Sequence, residues 1–490
     1  MPRMLSKSQV LASRQCQRRL WLEVHRPELR DIDSAMLQRL RQGHRLEKVA
    51  HALHPDGVLI GRDIPLHKAL QATADHLQRI PYTPLFEATF SAHQVLVRAD
   101  MIRQTDAGRT LTEIKSSTRV KPYHLIDCAI QHWVIDAAGY PVSKTLLAHI
   151  DRRFHYRGDD DYAGLLRHVD VSERVEALQR EVPQWVVAGL DTLDMPKEPA
   201  IDVGPHCTDP MACPFRHHCQ PDGTEYPVNL LPGGGHIVAQ LQAEGIADVR
   251  DIPEGRLHKV LQERVRIATI SGRPYVGQAI GATLRTLPYP RYYLDFETTQ
   301  FAVPRWPDTR PYEQLPFQWS CHIEPEAGEL GHAQFLDTTG ESPMRACAQS
   351  LLDALGDTGP VFTYSPFEKT VIHRLATRFP DLGPRLRSLA ERLYDLLPLI
   401  RAHYYHPAMK GSYSIKAVLP TIAADLNHEA LGDVHDGVGA QIAYEELIGK
   451  TTALSRKASL ADALRRYCAL DTLAMVEIVR FFEPANSARN

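Results

Sequence analysis

Three groups of residues have the types and spacing to do chemistry. In HQVLVRADMIRQTDAGRTLTEIKSS, two apolar runs, VLVRADMI and TLTEIK, flank a turn at Asp106-Ala107-Gly108, which is the pattern of a β-hairpin. Asp100 falls at the end of the first run. Glu113 and Lys115 lie on the second, where strand alternation puts both on one face and Ile114 on the other. Neighbouring carboxylates offer hard oxygen ligands to Mg²⁺ or Mn²⁺. A lysine beside such a metal positions or deprotonates an attacking water and offsets charge growing on a phosphate. Glu87, in PLFEATF, sits on a strand before Asp100 and is a further candidate to line that site.

The second group is Cys207, Cys213 and Cys219, equally spaced in HCTDPMACPFRHHC and interrupted by Pro210 and Pro214. Prolines and polar residues at this density predict a loop able to wrap a metal centre. Three thiols do not complete a tetrahedral site, so a fourth ligand is wanted. His206, His217 and His218 stand beside the thiols and supply one answer, a Cys3His zinc site. Cys128, Cys321, Cys347 and Cys468 are scattered and read as small core residues.

The third group runs through the last two hundred residues. RYYLDFETT is an apolar strand with Asp295 and Glu297 on one face, enough to give one metal two ligands or two metals one each. GPVFTYSPFEKTVIHRLA reads as a strand, a turn and a helix bearing Glu368. RRYCALDTLAMVEIVRFF reads as an amphipathic helix on which Tyr467 and Asp471, four apart, share a face. Asp395, in RLYDLLPLIR, falls where a strand passes into a helix and is a second choice for the middle acid, behind Glu368. Ser412, Tyr413 and Lys416, in GSYSIKAVLP, are candidates to touch a phosphate backbone.

The Asp100, Glu113, Lys115 arrangement resembles the PD-(D/E)XK nuclease core, in its RecB-like branch. That resemblance implies a role for Gln131 on the following helix, next to the lysine and the substrate. Those nucleases usually carry a tyrosine four residues on, where this chain has Ile135. They also carry a metal-binding histidine four residues after a glycine; counting from Gly43 reaches Glu47, with His44 nearby, so Glu47 is carried over as an extra ligand and His44 as the second choice. The setting QCQRRLWLE resembles the start of the iron–sulfur members, the CRISPR-associated exonucleases and the nuclease of the AddAB helicase. The resemblance implies that Cys16 joins Cys207, Cys213 and Cys219 around a [4Fe–4S] cluster. That is the first reading, with zinc the alternative.

Asp-x-Glu, a middle acid and Tyr-x3-Asp, in that order, resemble the DEDDy branch of the DnaQ-type exonucleases, which have an RNase H-like fold. Their middle acid is usually an aspartate; here it is Glu368. Taken together, the two ends resemble bacterial two-nuclease proteins in which a RecB-like iron–sulfur domain precedes an RNase H-like domain. The implied activity is metal-dependent cleavage of phosphodiester bonds, exonucleolytic and on DNA rather than RNA, in repair or defence. The alternative is a nucleic-acid-binding or scaffold protein with one or both sites degenerate.

The elements that must position these residues predict an α/β chain with two catalytic domains. One occupies residues 1–222, a helical connector 223–286, and the other 287–490, with the boundary at the Pro- and Gly-rich PDGTEYPVNLLPGGGH. With 490 residues, 43% hydrophobic and 23% charged, the chain is long and apolar enough to bury sizeable cores and is not of disordered composition. The net charge of −3 excludes a uniformly basic coat. Residues 1–50, with eleven Lys+Arg against five acids, form a local basic excess compatible with phosphate contacts. No apolar run is long enough for a membrane span, and the basic start lacks a secretory core, so a cytoplasmic protein with no membrane partner is expected.

Overall fold

The computed structural model describes residues 4–220, 224–426 and 434–483. It is a mixed α/β structure, about 47% helical, in two compact units. One is 1–221 with 301–313; the other is 222–300 with 314–490.

The first unit begins with β1 (Leu5–Ser6), α1 (Lys7–Gln15), α2 (Gln17–His25), α3 (Ser34–Ala52), β2 (Val58–Leu59) and α4 (Leu66–Arg79). The central strands follow: β3 (Leu85–Ala92), β4 (Val95–Thr105) and β5 (Gly108–Lys115). After α5 (Pro122–Ala137) come β6 (Lys144–Ile150), β7 (Leu166–Asp170), α6 (Ser172–Gln179), α7 (Val182–Leu193) and the single turn α8 (Arg216–Cys219). The sheet order is β2-β3-β4-β5-β6-β7, with β1 pairing β4. β3, β4 and β5 form an antiparallel meander; α5 then crosses over so that β6 runs parallel to β5. The predicted hairpin is β4–β5. Its turn closes at Gly108, whose φ is +105° and where a Cβ would lie 2.1 Å from Ser143 Oγ. The buried face of α5, including Ile130, Val134 and Ile135, packs into one core with β3, β4 and α7. Ile135, standing where related nucleases have a tyrosine, is thus a core residue, 0% exposed.

The second unit opens with α9 (Gly235–Ala243), α10 (Val260–Ser271), β8 (Tyr275–Val276) and α11 (Ala279–Arg285). Its sheet comprises β9 (Arg291–Thr299), β10 (Leu315–Glu324), β11 (Gly331–Leu336), then α12 (Met344–Ala354), β12 (Val361–Thr363), α13 (Phe367–Arg378), α14 (Gly383–Glu391) and β13 (Leu393–Asp395). The chain ends with α15 (Leu396–His403), β14 (Tyr404–Tyr405), α16 (Ile415–Val418), α17 (Gly437–Leu447) and α18 (Leu454–Phe482). The strand order is β11-β10-β9-β12-β13, antiparallel on the β11 side of β9 and parallel on the other.

Two boundaries differ from the sequence expectation. Residues 223–286 are not a bare connector: Val228, Leu231, Leu241, Val249, Ile280 and Leu284 share one core with Tyr293, Phe362 and Val479. Burying those side chains gives the short helices a stability that their own lengths do not supply. Residues 301–313, expected inside the second domain, belong to the first unit. There Ala302 and Val303 pack with Leu46, Val49, Ile150 and Leu165, Thr309 bridges Tyr156, and the Tyr312 hydroxyl donates to the Ser116 carbonyl, just beyond β5.

Candidate active sites and cysteine centre

In the first unit, alternation along β5 turns Glu113 and Lys115 to one face, and Asp100 of β4 joins them by accepting the Ile114 backbone N–H at 2.7 Å. Lys115 Nζ donates to Glu113 Oε1 at 2.5 Å. Gln131, 0% exposed on α5, donates to Glu113 Oε2 at 2.7 Å. The four residues expected here therefore converge. Two more come with them that the sequence reading did not single out. Asp127 accepts from Lys115 at 2.5 Å and from Gln131 at 3.1 Å. Lys7, at the start of α1, lies 3.0 Å from Glu113 and 3.2 Å from Asp127. Asp127 had a signal, since it precedes Gln131 by four and so shares its helix face; Lys7 had none nearby in sequence.

These groups titrate unequally. Burial, then repulsion from Asp100 and Asp127, pushes Glu113 up to about 7, against the two lysines. Burial raises Asp100 as well. For Asp127 burial acts in the same sense, but Lys115 and Lys7 override it and hold the carboxyl below its ordinary value. Asp100, Glu113, Lys115 and Lys7 line a cavity of about 510 Å³, with Asp127 and Gln131 bonded to its Lys115 and Glu113.

Glu47 and Glu87 line the same cavity, but both are engaged by Arg62. Arg62 donates to both oxygens of Glu87 at 2.7 and 2.9 Å, the fork geometry of a strong ion pair, and lies 3.3 Å from Glu47. Glu87 has φ +56° and interrupts the β3–β4 pairing between Phe86↔Met101 and Ala88↔Ala99, opposite Asp100. His44 is exposed on α3, three residues before Glu47, and does not line the cavity.

The four expected cysteines are neighbours. Burial raises the Cys213 thiol, with Cys207 and Cys16 adding to the shift. Burial likewise pushes Cys219 up to about 11, with Arg18 opposing and Cys213 and Cys16 adding. The loop that carries three of them is tied to the N-terminal helices. Gln15 Nε2 donates to the carbonyls of His206 and Met211, both at 2.7 Å, and Asp31 N to that of Pro214 at 2.8 Å. The nearby histidines are placed otherwise: His218 is bonded to Glu198 at 3.0 Å, and the His217 side chain is 88% exposed, 3.6 Å from Asp31. The loop carrying Cys207, Cys213 and Cys219 is thus held against the chain on either side of Cys16. Cys128, Cys321, Cys347 and Cys468 are buried, as core residues should be.

In the second unit, β9 presents Asp295 and Glu297 opposite Ser320 and Gln318 of β10. Helix α18 crosses this face and is pinned to β10 on either side of Tyr467 and Asp471. Gln318 donates to the Leu464 carbonyl at 2.8 Å, and Thr472 Oγ1 bonds Ser320 Oγ at 2.9 Å and His322 Nδ1 at 2.8 Å. The result is that ligand oxygens of Asp295, Glu297 and Asp471 all lie within 4.8 Å of one another. Burial, then repulsion within the group, raises Asp295 and Glu297 well above the ordinary carboxylate range. A divalent cation would offset that crowding of like charge, and Lys416 already lowers Glu297 in part.

Glu368 stands outside that 4.8 Å set. It is 3% exposed near the start of α13, accepts from Ser365 Oγ at 3.2 Å, and is pushed to about 7 by burial, with Asp395 and Asp471 adding repulsion. Asp395 caps α15, accepting the Leu397 N–H at 2.9 Å, which is a structural task. Tyr467 Oη accepts from Lys416 Nζ at 2.9 Å. Lys416 is therefore a site residue. Tyr413, expected at a phosphate backbone, is instead 6% exposed and packed in the unit's core, while Ser412 is exposed and bonds Ser414 at 3.2 Å.

Residues 292–414 match the family model described as a domain of unknown function, DUF2779. The match takes in Asp295, Glu297, Glu368 and Asp395 and stops short of Lys416, Tyr467 and Asp471. No curated protein matches the chain. Among the described residues, no helix is long and apolar enough to cross a membrane.

Proposed function

We propose that this chain is a metal-dependent nuclease with two catalytic units, acting on DNA more readily than RNA. The observation that carries the reading is the convergence of Asp295, Glu297 and Asp471 within 4.8 Å beside Tyr467. A buried trio of acids two apart on a strand and across on a helix is a poor structural device and a good cation cradle. The strand order supports an RNase H-like assignment for the second unit. The β3–β4–β5 meander followed by a helical crossover to parallel β6 supports a PD-(D/E)XK assignment for the first.

In the first unit, Asp100 and Glu113 are the metal ligands, with Glu47 too distant in role because Arg62 holds it. Mg²⁺ or Mn²⁺ bound there supplies Lewis-acid activation of the phosphate and water. Lys115 orients the attacking water and offsets negative charge on the phosphate, Gln131 fixes Glu113, and Asp127 fixes Lys115. In the second unit Asp295, Glu297 and Asp471 hold the metals, with Glu368 at the edge of the set. Tyr467, steadied by Lys416, aligns the water. Tyr467→Phe is expected to lower turnover by the second unit while leaving Mn²⁺ affinity by calorimetry unchanged. Weakened metal binding would make the phenol a ligand instead.

The four thiols are read as the ligands of a [4Fe–4S] cluster that would tie Cys16 to the 207–219 loop, with zinc the alternative; what supports this is the tethering of that loop to Gln15, beside Cys16. The cluster reading predicts brown protein with about four irons per chain. Cys213→Ser should bleach it and destabilise the first unit. Colourless protein with one zinc per chain would assign the site to zinc.

The second reading, a nucleic-acid-binding protein with an inactive second site, draws on one observation: Glu368 lies outside the tight trio. Digestion of labelled single- and double-stranded DNA and RNA by the full chain, in Mn²⁺ and in EDTA, tests both. Asp100→Ala and Asp471→Asn are made singly and together. Cleavage lost only in the double variant assigns activity to both units. Metal-dependent cleavage that survives in the double variant overturns the two site assignments, and no cleavage by wild type overturns the nuclease reading.

A further inference from the structure

The geometry points to Lys7 as a phosphate-binding residue of the first site, delivered from outside the hairpin and helix that carry the other site groups. The inference rests on the nuclease reading above. Leu5 and Ser6 pair in parallel with Val95 and Leu96, at the start of the strand that carries Asp100. Ser6 then caps α1 through a reciprocal pair with Gln9, so the chain turns from sheet to helix with Lys7 as the first helical residue. A lysine there is opposed by the helix dipole. Its position makes sense through what its side chain reaches.

That side chain is 23% exposed and ends 3.0 Å from Glu113 Oε1 and 3.2 Å from Asp127 Oδ1. A counter-ion role alone does not account for it. Lys115 already touches both carboxylates at 2.5 Å, and Gln131 donates to both. An ammonium has three N–H donors, and the two carboxylates take two of them. Lys7 also lines the cavity shared by Asp100, Glu113 and Lys115, where the substrate phosphate must sit. Of the two guanidiniums that line the cavity, Arg62 is committed to Glu87 in a forked pair, and Arg98 stands on β4 two residues before Asp100, so Lys7 is the ammonium that reaches in from outside the sheet's hairpin. A flexible ammonium, held by acids but not needed to satisfy them, is suited to follow a phosphate. The other end of α1 runs into Cys16, so the helix that carries Lys7 is anchored at the cysteine loop through Gln15.

The test uses the full-length chain in an Asp471→Asn background, which silences the second unit. Lys7→Met is expected to raise KM for a labelled single-stranded DNA about tenfold with little change in kcat, the signature of lost uniform binding. The slope of log affinity against log salt, measured by anisotropy in Ca²⁺, should fall by about 0.7. Lys7→Arg should restore both. In wild type, acetylation of Lys7 read by mass spectrometry should be suppressed by the bound oligonucleotide, which needs no variant to fold. An unchanged KM and salt slope in Lys7→Met, or Lys7 labelling unaffected by DNA, overturns the inference while leaving the nuclease reading in place. Absence of metal-dependent cleavage in wild type overturns both.

Discussion

Lys115→Ala is expected to lower metal-dependent cleavage by the first unit by about 10²–10³-fold, the size of effect seen when one preorganised charge-stabilising group is removed. Lys115 Nζ lies at 2.5 Å from both Glu113 and Asp127, so it is fixed at two points before any substrate arrives. Alanine keeps Asp100 and Glu113, and Mn²⁺ should still bind by calorimetry. The carboxylates are not left bare, because Lys7 remains 3.0 Å from Glu113. Circular dichroism should therefore report a folded protein. Lys115→Arg should recover little, since Lys115 is bonded at 2.5 Å to both acids, closer than Lys7 at 3.0 and 3.2 Å, and the larger guanidinium cannot take that tight place. The measurement is single-turnover cleavage in the Asp471→Asn background. Wild-type rates in Lys115→Ala would remove Lys115 from the mechanism and with it the strongest argument for the first site.

Much of this site is legible in the sequence because it is local. Alternation along one strand puts Glu113 and Lys115 on a face, and a turn ending in Gly108 folds Asp100 back against them. Asp127 is equally local, four residues before Gln131, but an acid on a helix is more often solvated than buried, so its spacing alone does not single it out. Lys7 was not legible. It reaches the site through a two-residue strand that pairs with β4, and no periodicity in the first ten residues announces that pairing.

The same distinction explains the boundaries. Short helices among prolines and glycines, as in 223–286, look like a linker until their few apolar residues are found buried with Tyr293 and Val479. The stretch 301–313 carries Pro304, Pro307 and Pro311 and reads as a loop of the domain it interrupts. Its place in the first unit depends on Ala302 and Val303 finding partners such as Leu46 and Ile150 far back in the chain. Glu368 falls on the helix the sequence predicts, but its place outside the tight trio is a three-dimensional fact that sequence spacing does not encode.

Asp295→Asn is expected to abolish cleavage by the second unit and, without metal, to stabilise the fold. Asp295, Glu297 and Asp471 crowd within 4.8 Å in a buried site, so metal-free folding must hold like charges together. Burial raises Asp295 and Glu297 and pushes Glu368 to about 7, whereas an unfolded glutamate titrates near 4.5. A folded pKa above the unfolded one means that the folded state binds protons more tightly. The stability this gives is fully present below about pH 4.5 and is lost as the pH rises through 7. Metal-free wild type should therefore melt at a lower temperature at pH 8 than at pH 5.5. Mn²⁺ should raise the melting temperature most at pH 8, where it replaces the missing protons. Asparagine at 295 removes one charge, so in EDTA at pH 8 the variant should melt above wild type, and its response to Mn²⁺ should shrink. Glu113 contributes the same trend from the first unit, so the comparison is between variant and wild type at each pH. If Mn²⁺ shifts the variant as far as it shifts wild type, the trio is not the metal site, and the second unit's place in cleavage falls with it.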